Sequence, residues 1–113
     1  MPKPSSLGVW PSTPPPAHKL VKVIRFLATQ SDRIDWTDHA WDRMDERGIT
    51  DMDALRALRN GDIVGSILAG RRRGEWQCKV CFPLRERREI GVAVVVVESD
   101  RMVIKTVEWE DPA

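Results

Sequence analysis

Residues 62–109 read DIVGSILAGRRRGEWQCKVCFPLRERREIGVAVVVVESDRMVIKTVEW, and this stretch decides the fold. From Asp62 onward, apolar residues stop recurring at helical spacing and begin to alternate. Glu75–Phe82 alternates most cleanly. Trp76, Cys78, Val80 and Phe82 share one face, with Glu75, Gln77 and Lys79 on the other. Asp62–Ala69 reads as the strand before it, and Gly70–Gly74, with three arginines, as the turn between them. Residues 83–89 form a polar turn. Ile90–Val97 is apolar on both faces, the mark of a central strand covered on both sides. A hairpin loop at Ser99-Asp100-Arg101 leads into a last strand, Met102–Trp109. Four strands in succession make an antiparallel meander.

Upstream the period is helical. A first helix is expected over 18–30, where Leu20, Val23, Ile24 and Leu27 follow i, i+3, i+4, i+7. A second is expected over 38–47, with Thr37 as N-cap and Gly48 as the left-handed residue that ends it. A third is expected over 51–60, with Thr50 as cap and Asp53 at capping-box spacing. Helices first and strands afterwards define an α+β fold, with the N-terminal helices packed on a C-terminal four-stranded antiparallel meander. Residues 1–17 stand apart. Six of the eight prolines lie there, so this segment reads as an arm with one large apolar side chain, Trp10, and 18–113 as a single domain.

Composition sets the outer limits. The chain has 113 residues, enough for one compact domain. No apolar run approaches the roughly 18 residues of a spanning helix. The N-terminus lacks the apolar core of a signal peptide, and the chain starts at Met1, so a free-standing cytoplasmic protein is expected. Lys plus Arg number 18 against 17 Asp plus Glu, for a net charge of +1. That balance excludes a generally basic protein, yet the charge is segregated. Residues 1–31 carry +4, residues 32–53 −5, residues 54–88 +6 and residues 89–113 −4. The third block is a candidate anion-binding surface.

Three residues of the second helix can carry chemistry: His39, Arg43 and Arg47, at i, i+4 and i+8. Four residues advance about 400°, so the three drift slowly along one face. Guanidinium groups hold phosphate bidentately, and a histidine moves protons near neutral pH. Metal-independent RNA cleavage needs these groups, since a base must take the 2′-OH proton while cations stabilise the pentavalent phosphate. The plainer reading is ordinary helix surface, with Asp42, Asp45 and Glu46 pairing the arginines. Arg71–Arg73 and the turn carrying Arg85, Arg87 and Arg88 can contact an RNA backbone or an acidic protein segment. The two turns should lie at opposite ends of the sheet.

Cys78-Lys-Val-Cys81 has CxxC spacing. On a strand, i and i+3 point to opposite faces, so neither a disulfide nor a zinc site is expected. Cys78 reads as core and Cys81 as partly exposed. Asp51 and Asp53 are explained by the helix start they occupy. Neither a cofactor nor a metal is expected.

The run HAWDRMDERGITDMDALRALRNGDIV resembles the motif of a small bacterial family, domain of unknown function 4258. The residues that carry the likeness are His39, Arg43, Met44, Arg47, Gly48, Ile49, Thr50, Leu55, Asn60 and Gly61, followed by Lys79-Val80 and the strand at 103–107. The resemblance extends over about 18–110. This family is similar to the BrnT-like and RelE/ParE-like toxins of type II toxin–antitoxin systems. That likeness implies ribonuclease activity, RNA as substrate and a cognate antitoxin protein as partner. It makes His39 the acid/base, Arg43 and Arg47 the phosphate contacts, and Thr106 a further polar contact in the same cleft. Arg71, Arg72 and Arg73 would bind RNA. The chain lacks tyrosine, which some of these toxins use in catalysis. The alternative function is a non-catalytic protein- or nucleic-acid-binding module that uses the same fold and the proline-rich arm. A piece of a larger secreted effector, with the arm as linker, is a third reading.

Overall fold

The computed structural model describes residues 13–85 and 88–110. Trp10 and most of the arm lie outside them, as do Arg87 and the side chain of Arg85. The first helix, α1, spans Ala17–Leu27 and buries Leu20, Val23, Ile24 and Leu27 completely. It ends before the expected residue 30 because the chain tightens there, with the Thr29 amide donating to the Phe26 carbonyl. The Ala28 carbonyl is then free to accept from Arg59 Nε at 2.9 Å.

The next two helices, α2 (Asp38–Arg47) and α3 (Asp51–Asn60), have the expected bounds. Thr37 Oγ1 accepts from the Ala40 amide at 3.0 Å. Gly48 takes φ 67°, where a side chain would be strained. Thr50 and Asp53 complete a reciprocal capping box, which satisfies two otherwise orphaned amides. Gly61, after α3, has a second requirement. A Cβ there would lie 2.5 Å from the Cys81 carbonyl oxygen, so only glycine lets α3 run directly into the sheet.

The sheet differs from the expected four-stranded meander. The meander is present as β2 (Asp62–Ala69), β3 (Glu75–Arg85), β4 (Arg88–Val97) and β5 (Arg101–Trp109). A further strand, β1 (Ile34–Trp36), pairs parallel with β5, so the sheet is five-stranded and mixed, in the order β1-β5-β4-β3-β2. Three residues are too few to show a period. Tertiary contacts fix them: Arg101 grips the Asp35 carboxylate at 2.9 and 3.2 Å, and Thr37 Oγ1 donates to the Ile104 carbonyl at 3.0 Å.

All three helices bury their apolar stripes in one core on one face of the sheet. Ile90, Val92, Val94, Val96, Met102, Ile104 and Val107 line that face at 0% exposure. Burying each such side chain contributes about 1.5–3 kcal/mol. Among the described residues, no helix lies on the other face. Ala93, Val95 and Val97, on the far side of β4, are only half-buried, which corrects the expectation of a strand covered on both sides. Among the described residues, no helix is long and apolar enough to cross a membrane.

Candidate functional site

Ala40 and Met44 fix the rotation of α2 by filling the core. His39, Arg43 and Arg47 then lie along one flank of that buried stripe. Successive members are about 6 Å apart along the axis. His39, furthest from the stripe, is exposed, and its imidazole makes no hydrogen bond among the described residues. Arg43 and Arg47 are half-buried, and Glu46 takes both, at 3.1 and 3.4 Å. Glu46 is 56% exposed, so this clamp is weak and an incoming phosphate can displace it. Asp42 and Asp45 pair with neither arginine. On the opposite flank Trp41 is 44% exposed and stacks on Trp36, with ring centroids 5.0 Å apart.

The C-terminal end of α2 meets an aromatic and cationic corner that the motif did not contain. Trp109 Nε1 donates to the Arg47 carbonyl at 3.1 Å. The Arg88 guanidinium sits 4.0 Å from the Trp109 ring centroid, a close cation–π contact. Phe82, Ile90 and Trp109 form one row across β3, β4 and β5. Arg56 of α3 lies 5.7 Å from the Phe82 ring centroid at the other end of that row. Arg47, Arg88 and Arg56 therefore lie at one end of the sheet, with Arg43 one turn back along α2.

A single bulge explains why this corner was hidden in the sequence. Ala93 pairs with Thr106 but Val94 pairs with Ile104, leaving Lys105 as an extra residue in β5. Without it, simple alternation from Met102 and Ile104 would turn Thr106 toward the helices and Trp109 away. With it, Val107 and Trp109 face the helices, and Thr106 joins Ala93 on the uncovered face. Thr106 thus does not share a surface with His39, Arg43 and Arg47, which corrects its expected place.

Arg71–Arg73 are also remote. They are exposed in the β2–β3 turn, at the sheet end where Glu75 pairs with Val97 and Val97 with Arg101. Trp109 and Arg47 mark the other end, so the two cationic groups are separate, as strand geometry requires. Cys78 and Cys81 lie on opposite faces, but both are buried, at 7% exposure each. Cys81 is not partly exposed because Glu110 reaches across Gly91 to pair with Lys79 beside it. Burial pushes the Cys78 thiol up to about 12 and, with the Glu110 carboxylate adding to it, the Cys81 thiol up to about 11.

The comparison with family models matches residues 36–109 to the domain of unknown function DUF4258. The chain belongs to the DUF4258 family. The matched segment holds α2, α3 and the meander, so the whole arginine-rimmed corner is part of the DUF4258 domain, while α1 precedes it. The match is narrower than the 18–110 read from the motif. No curated protein and no solved structure matches the chain.

Proposed function

We propose that this DUF4258 protein binds RNA along the flank of α2 and cleaves it without a metal, in the manner of a toxin-like ribonuclease. The supporting observation is that His39, Arg43 and Arg47 share one flank of α2, whose C-terminal end meets Trp109 and Arg88. The arginines supply phosphate contacts and Trp109 supplies an aromatic surface beside them. RNA carries its own nucleophile, so cleavage asks only for proton transfer and charge stabilisation. His39 takes the 2′-OH proton, the 2′ oxygen attacks phosphorus, and the P–O5′ bond breaks. Water protonates the departing 5′ oxygen. The products are a 2′,3′-cyclic phosphate and a 5′-hydroxyl. Arg43 and Arg47 stabilise the extra negative charge of the pentavalent phosphorane.

A second reading is favoured by one detail. Among the described residues the His39 imidazole has no orienting hydrogen bond, whereas a catalytic base is commonly held by a third group. Under that reading the same surface binds RNA without cutting it. Fluorescence anisotropy with a single-stranded RNA tests the surface common to both. Arg47→Ala and Arg88→Ala should each weaken binding several-fold and reduce the salt slope by about one. Unchanged affinity and slope in both variants would remove RNA binding from this corner. A cognate antitoxin and a cytoplasmic setting belong to the same proposal and rest on the likeness to toxins.

A further inference from the structure

The uncovered face of the sheet is the largest feature that the RNA reading leaves unused. Register places Leu68, Gln77, Val95 and Val103 in one row across β2, β3, β4 and β5. The next row holds Val64, Lys79, Ala93 and Thr106. Leu68 is 57% exposed and Val64 50%, two of the four large hydrophobic residues most open to solvent among the described residues. Exposed aliphatic side chains gathered on an open sheet face and flanked by polar residues fit an interaction surface. A concavity of about 380 Å³ lies over this face, lined by Gly70, Arg71, Glu75, Gln77, Val95 and Lys105. Neither Arg71 nor Lys105 makes an ion pair among the described residues. Glu75, the one carboxylate in the lining, accepts from the Arg72 amide. The bulge described above is what supplies Lys105 here.

We propose that this face docks an amphipathic, acidic segment of a partner protein, with apolar side chains on Leu68, Val95 and Val103 and carboxylates on Arg71 and Lys105. Charge selects this occupant over two others. Residues 1–12 contain one lysine and no carboxylate, so the arm of the same chain cannot answer the two cations. A second copy docked face to face about a two-fold axis close to Arg71 and Lys105 would set these cations against their own kind. The proposal does not depend on RNA binding at α2, which lies on the other face.

Selection of peptides from a displayed random library on the wild-type chain tests it. Enriched sequences should alternate apolar residues with Asp and Glu. Their affinity should fall at least about tenfold on Arg71→Glu/Lys105→Glu, and likewise on Leu68→Ser, while Arg43→Ala binds them unchanged. Circular dichroism melting of each variant separates lost docking from lost folding. Three results would overturn the proposal. The first is enrichment of basic or neutral sequences, or of none. The second is a wild-type dimer in sedimentation velocity that Leu68→Ser dissociates. The third is peptide binding that appears only after deletion of residues 1–12.

Discussion

Single residues decide where chemistry can occur in this chain, and the two cysteines show how. A CxxC spacing invites redox or zinc chemistry, yet strand geometry alone sends Cys78 and Cys81 to opposite faces. Burial, with Glu110 beside Cys81, holds both thiols protonated, at about 12 and about 11 against an ordinary 9.0. The raised values have a consequence for stability. Below pH 9 the thiols are protonated in both folded and unfolded chains. Above it the unfolded chain loses its thiol protons first, so folding stability falls as pH rises from about 9 to between about 11 and 12. Melting temperatures across that window should decline less steeply in a Cys78→Ala/Cys81→Ala variant than in wild type. An equal decline would show that the thiols stay as accessible as free cysteine. The exposure of Cys81 was misread because the residue that covers it, Glu110, lies almost thirty positions away and crosses at a glycine.

Elements divide into those with a local signature and those without one. The bounds of α2 and α3 are written in Thr37, Gly48, Thr50 and Asp53, whose caps act within a few residues, and so they were legible. The strand β1 was not, since Ile34–Trp36 is held by Arg101 and by the edge of β5 rather than by its own pattern. The bulge at Lys105 was not legible either. Nothing in Met102–Trp109 distinguishes a regular strand from one with an extra residue, because Val103, Ile104 and Val107 suit either register. The bulge nonetheless sets which of Thr106 and Trp109 meets the helices. Deleting Lys105 removes the bulge and its extra residue together, so Thr106 should stay on the uncovered face and Val107 and Trp109 toward the helices. The variant should therefore keep a cooperative thermal transition by circular dichroism, with a regular β4–β5 ladder in place of the bulge. Loss of that transition would mean that Lys105 holds β5 in place by more than the facing it sets.

At the scale of the whole molecule, a net charge of +1 conceals two distinct surfaces on opposite faces of one sheet. One is on the helix side, where the Arg47 carbonyl and the Arg88 guanidinium both meet Trp109. The other is the open aliphatic face with Arg71 and Lys105. The strip on α2 was visible in the sequence because helical spacing fixes it locally. Its extension to Arg88 was not, since that contact depends on a shifted register 62 residues from Arg47 in hydrogen-bond partnership. Under the two proposals made above, one face engages an anionic polymer and the other an acidic protein segment. The most direct measurement is cleavage of a single-stranded RNA by the purified protein, beside His39→Ala and beside the same strand with 2′-deoxy sugars. The account predicts 2′,3′-cyclic phosphate ends from wild type, a rate lower by about 10²–10⁴ in His39→Ala, and no cleavage of the deoxy strand. Equal rates for wild type and His39→Ala, or cutting of the deoxy strand, would contradict it.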